Sequence, residues 1–197
     1  MKSLAAVHIR EYESAVEAMD EYVRTVELGL RVALGASTGG SVLLASDREE
    51  GGEAGFVVFG SGHGMCGRFN EQMGAFATDR IGEVEGRRHR ILALGDHVPD
   101  VLRMHGRRVD RTLELPGAVE GMTRSVRRLL EVVEGWRDDG VARVFLLYHR
   151  QESQARSEPR LRQLYPLDPD WLEEVGEQRW PGRSLPTFRT DPSTLMA

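Results

Sequence analysis

The residues best placed to do chemistry lie in one stretch, Phe56–Ala77, which reads FVVFGSGHGMCGRFNEQMGAFA. Within it Gly62-His63-Gly64-Met65-Cys66-Gly67 spells G-x-G-x-x-G. That spacing lets bare backbone approach a pyrophosphate at the N-terminus of the next helix. A dinucleotide-binding chain would carry its ribose-holding carboxylate about 20 residues further on. Asp96, which ends the apolar run Ile91–Leu94, lies well beyond that, and His63 and Arg68 put bulk where a cofactor favours backbone. Gly62, Gly64 and Gly67 remain the phosphate-binding candidates of this alternative, a Rossmann-like dinucleotide binder.

Other chemistry finds less support. A phosphate loop of the G-x-x-x-x-G-K-[ST] type needs a lysine, and Lys2 is the only one. The six histidines (His8, His63, His89, His97, His105 and His149) show no H-E-x-x-H or comparable ligand spacing, so no metal site is expected. Asp96 beside His97 offers an acid–base pair, but a helix-capping Asp next to a surface His explains both more simply. Ser61 sits in no G-x-S-x-G elbow. Cys66, the single cysteine, has no His-Asp neighbours and excludes an internal disulfide, which fits a reducing cytoplasm. No catalytic residue, cofactor or metal is therefore predicted.

The elements that would position this stretch are legible from their periods. Phe56–Phe59 is a short apolar run, Gly60–Gly67 a glycine-rich turn, and Phe69–Arg80 a helix carrying Phe69, Met73 and Phe76 on one side. Strand, turn and helix in that order open a βαβ unit. Further strands are expected at Arg90–Leu94, at Val109–Leu115 as an edge, at Ala142–Tyr148 as a central strand, and at Leu161–Leu167 closing the sheet. Helices are expected at Val98–His105, with Asp96 as cap and Pro99 in the first turn, and at Gly117–Trp136. Ser41–Ala45 reads as a strand or as a continuation of the preceding helix. The fold class is thus α/β: an open, mostly parallel, Rossmann-like sheet with helices on both faces.

Ahead of this sheet stands a different pattern. Residues Lys2 to about Leu34 contain no proline and a single glycine, Gly29. Ile9, Val16, Val23 and Leu30 recur every seven residues, and Tyr12, Met19, Val26 and Ala33 form a second series offset by three. Arg10, Glu11, Glu13, Glu17, Asp20, Glu21, Arg24 and Glu27 lie off the stripe. That is the a/d seam of a coiled-coil helix, ended by Gly35 and the Ser-Thr-Gly-Gly that follows. No second long heptad helix exists in the chain to meet it. A module whose first helix dimerises is one way to satisfy such a seam.

Composition sets the class. The chain has 197 residues, 40% hydrophobic and 29% charged, with net charge −5. A chain of that size buries roughly 70% of its unfolded surface, enough for one domain with a helical extension. Mild acidity argues against nucleic acid, so Arg87-Arg88-His89-Arg90, Arg107-Arg108 and Arg127-Arg128 read as solvated faces or protein contacts. No apolar run reaches about 18 residues and the N-terminus has no secretory h-region. A soluble cytoplasmic protein without direct membrane insertion is the expectation.

Ser61-Gly-His-Gly-Met-Cys-Gly-Arg-Phe-Asn70 also resembles, as a whole phrase, the signature loop of F-type ATP synthase gamma subunits, S-D-R-G-L-C-G-G-F-N. Ser61, Gly64, Cys66, Gly67, Phe69 and Asn70 match; Gly62, His63, Met65 and Arg68 depart, as in the divergent gamma subunits of alternative synthase operons. Met1–Ala6 resembles the interior of the family's first helix, Val144–His149 its "vYn" strand end and Leu161–Leu167 its "qLLPL" segment, while Trp180–Pro186 fits the divergent branch. The resemblance implies a non-catalytic central rotor stalk of a rotary motor, carrying torque between a membrane ring and a catalytic head during proton- or sodium-driven ATP synthesis or hydrolysis. It implies alpha, beta and epsilon subunits and the ring as partners, and a peripheral place on the inner face of the bacterial plasma membrane. Ile9, Tyr12, Val16, Met19, Val23, Val26, Leu30 and Ala33 would be shaft contacts. Residues 1–35 would form the shaft helix, 36–180 the central α/β domain, and 181–197 an irregular tail. The family's first-helix start and closing C-terminal helix would then be missing.

Overall fold

The computed structural model describes residues 2–36, 52–64, 66–84, 88–153, 156–177 and 182. The Ser41–Ala45 segment and the tail from 183 lie outside the described residues, as does the side chain of Ala33. The chain divides into two compact units, one holding the first and last helices and the other, Ser46–Pro166, holding the sheet.

The sheet unit grows from strands that are apolar along both faces. β1 (Ala54–Phe59) pairs in parallel with β2 (His89–Leu94) on one side and β4 (Arg143–Ser153) on the other. β3 (Arg111–Leu113) extends the parallel set beyond β2, and β5 (Arg156–Tyr165) pairs antiparallel with β4. The order is β3-β2-β1-β4-β5. Phe56 lies in register with Ile91 and Phe145, and these point to one face with Val58, Ala93 and Leu147. Helix α2 (Phe69–Glu83) covers that face through Met73, Ala77 and Ile81, helped by Val98 and Leu102 of α3 (Val98–Met104). Val57, Leu92, Leu94 and Val144 point the other way, against Leu129, Val132, Val133 and Trp136 of α4 (Met122–Asp138). Alternating side chains with a helix on each face explain why the central strands are hydrophobic throughout.

Several expectations need adjustment. Asp96 caps nothing: His97 occupies the N-cap of α3 without a side-chain bond, and Pro99 holds the first turn. The Val109–Leu115 strand shrinks to three residues at the edge. The Gly117–Trp136 helix starts later, after a 3-10 turn at Val119–Gly121. β4 and β5 run on into a charged hairpin in which Arg160 bridges Glu152 and Glu158. Arg90 is no solvated charge: it reaches Glu53 at 3.1 Å and Asp139, tying the starts of β1 and β2 to the end of α4.

The other unit is helical. α1 (Lys2–Ala36) is one continuous helix of 35 residues, as a stretch without proline and with two glycines, Gly29 and Gly35 close to its end, allows. Helix α5 (Pro169–Glu177), absent from the sequence reading, packs against it and buries Leu172 and Val175. The Asp168 side chain accepts a hydrogen bond from the Asp170 N–H and Pro169 stands first in the helix, a start signal the sequence carries openly. Among the described residues, α5 groups with α1. No described helix is long and apolar enough to cross a membrane.

Candidate functional site

The glycine-rich turn leaves β1 where the strand order reverses: β2 lies to one side and β4 to the other. In open α/β sheets that crevice, outside the carboxyl ends of the strands, is where ligands sit. Here the polar groups of the loop bond to one another. The Ser61 N–H donates to Asn70 Oδ1 at 2.9 Å, and Asn70 Nδ2 donates back to Ser61 Oγ at 2.8 Å. The Ser61 hydroxyl in turn donates to the His63 carbonyl at 2.8 Å, which also accepts from Cys66 Sγ at 3.1 Å. The Phe69 N–H, which a phosphate site would leave open, turns inward to the Cys66 carbonyl at 3.2 Å. Both ends of the loop are clasped by one Asn.

Two glycines are required by geometry. Gly67 has φ +55°, where the chain swings into α2. Gly95, just past β2, has φ +102°, and a Cβ there would sit 2.6 Å from the Ser61 carbonyl oxygen. The loop can therefore lie on the end of β2, where the Asp96 N–H donates to that same oxygen at 3.2 Å. Gly64 rests beside the His97 imidazole, and Gly62 beside Leu115.

An aromatic stack follows the turn. Phe69, the first residue of α2, lies on the His149 ring with centroids 3.8 Å apart and planes 24° from parallel. Neither His149 nitrogen finds a hydrogen-bond partner among the described residues. Burial holds the imidazole below its usual pKa, so it packs as a neutral ring. The space beside the stack, about 520 Å³, is an open groove lined by Phe59, Tyr148, Gln151 and Ser157. The polar groups of the Gly62-Gly64-Gly67 turn are instead engaged within the loop, through Ser61, Asn70 and the inward-turned Phe69 N–H. The dinucleotide reading is not favoured. Among the described residues no group of three His, Cys, Asp or Glu converges on a point that would hold a metal.

The second candidate is the stripe on α1. Ile9, Val16, Met19, Val23 and Val26 each keep 44–61% of their surface open. Tyr12 and Leu30 are half-buried. Exposed apolar residues recurring at this spacing make α1 the second candidate. The loop and the stripe lie in different units, so the sequence-predicted residues fall into two sites. The Phe69–His149 stack was missed, since nothing local links positions so far apart in the chain.

A family model described as ATP synthase matches residues 1–196. The ATP synthase gamma chain of Rhizobium etli is 26% identical over 207 residues, covering all of this chain and 68% of that protein. The gamma chain of Nitrosomonas eutropha is 24% identical over 140 residues, covering 70% of this chain and 48% of its own. This chain thus spans between about half and two thirds of the length of these relatives. Among solved structures, a chain of the Tetrahymena thermophila mitochondrial ATP synthase central stalk and c-ring superposes with TM-score 0.52 at 14% identity. The match covers 83% of this chain and 70% of that one, and it shows a shared fold.

Proposed function

This chain belongs to the ATP synthase gamma family, and from that premise we propose that it serves as a central rotor-stalk subunit. It would transmit torque between a membrane rotor ring and the catalytic head during proton- or sodium-driven ATP synthesis or hydrolysis. The observation that carries this reading is the open a/d stripe of α1. A rod that turns inside a head must be stiff, and a single helix is made stiff by pairing along such a stripe. Ile9, Tyr12, Val16, Met19, Val23, Val26, Leu30 and Ala33 would form the shaft contact. The sheet unit would be the foot that meets the ring and the epsilon subunit, with alpha and beta subunits around the shaft. Chemistry then belongs to the other chains, and the place of work is the inner face of a bacterial plasma membrane.

In this reading Ser61, Gly64, Cys66, Gly67, Phe69 and Asn70 are a structural turn that locks α2 to β1, β2 and β4. The self-satisfied hydrogen bonds of the loop support that role over ligand binding. The test is co-expression with alpha, beta and epsilon subunits of a bacterial synthase, followed by purification of the complex. The chain is expected to co-purify, and Val16→Asp with Val23→Asp to abolish its incorporation. Co-purification unaffected by that pair of changes would contradict the reading.

A further inference from the structure

The border of the α1 stripe specifies the charge of whatever pairs with it. Taking Ile9, Val16, Val23 and Leu30 as a positions and Tyr12, Met19 and Val26 as d, the e positions are Glu13, Asp20 and Glu27. The g positions are Ala15, Tyr22 and Gly29. One flank is therefore acidic at every heptad and the other carries no charge at all. Glu13 and Asp20 are exposed and Glu27 half-buried, and none of the three takes part in an ion pair among the described residues. In paired helices the e and g positions set partner choice, because charges there meet across the seam.

We propose that the occupant of the stripe is a helix bearing Lys or Arg along one flank in heptad register, its other flank uncharged. This rests on the coiled-coil reading of α1 given above. A second copy of this chain fits poorly. Antiparallel self-pairing sets e against e and puts three carboxylates against three, which is repulsive; parallel self-pairing sets e against the neutral g row and gains nothing. A basic flank converts all three acidic positions into attractive pairs, e to e in an antiparallel arrangement or e to g in a parallel one. To cover Ile9 through Leu30 the occupant must be about 33 Å long at 1.5 Å per residue.

The experiment uses the full chain and synthetic 28-residue heptad peptides with Leu at a and d, read by fluorescence anisotropy. One peptide carries Lys at e and one Lys at g; matched peptides carry Glu, and a scrambled Lys peptide is the control. One of the Lys-flanked peptides is expected to bind about tenfold or more tightly than its Glu counterpart at low salt, the gap narrowing near roughly 0.5 M salt. The triple variant Glu13→Lys, Asp20→Lys and Glu27→Lys is expected to reverse that order. Equal affinity for Lys and Glu peptides, lost in Val16→Asp with Val23→Asp, would overturn the charge inference and leave the seam reading standing. Failure of every peptide to bind, or binding that survives the Asp variant or scrambling, would overturn both.

Discussion

Asn70 spans the signature loop and satisfies Ser61 through both backbone and hydroxyl. Asn70→Ala leaves the part-buried Ser61 N–H without its acceptor, which costs about 1–3 kcal/mol. Thermal unfolding should show a corresponding drop in Tm, with a smaller one for Ser61→Ala. Gly95→Ala forces a side chain at φ +102° against the Ser61 carbonyl, so a loss of similar size is expected. His149 gives a pH signature. Burial lowers its folded pKa below 6.5, so the unfolded chain binds the proton first. Stability should be fully present above about pH 6.5 and fall as pH drops through it. His89 shares the sign, from burial first and the Arg107 charge second. Urea unfolding of His149→Phe between pH 7.5 and 5 (working values bracketing about 6.5) should give a flatter profile than the parent chain; an identical profile would remove His149 from the account.

Helix α5 shows how the elements are held. Leu172 is buried where α5 packs on α1, so Leu172→Ala should cost that attachment about 2–5 kcal/mol. Hydrogen exchange is expected to quicken in α5 while the β1, β2 and β4 amides keep their protection. Legibility varied with how much information each element carries locally. β1, β2 and the start of β4 are continuous apolar runs, and their places follow from burial on both faces. β5 was half-read because Arg156–Arg160 is charged and contains Pro159, so only its pairing with β4 identifies it as strand. α5 has two buried residues in nine, too few for a period, though Asp168-Pro169 announces its start. The α1 stripe was legible because seven-residue spacing is a property of the sequence itself. The Phe69–His149 stack was not, since it exists only once β1 and β4 are neighbours.

At the scale of the whole molecule the two candidate sites do different work. The loop spends its polar groups on itself, whereas most of the α1 stripe keeps its apolar groups open. A rotor-stalk role needs both properties, a firm foot and a shaft surface that binds. Its most direct test is cysteine accessibility in a purified synthase assembled with this chain. Val16→Cys and Val23→Cys would be compared with Glu17→Cys, each in a Cys66→Ser background. The account predicts that the two stripe cysteines react readily with a maleimide in the isolated chain and become protected on assembly, while the cysteine at position 17 changes less. Stripe cysteines that stay as reactive in the assembled complex as in the free chain would contradict it.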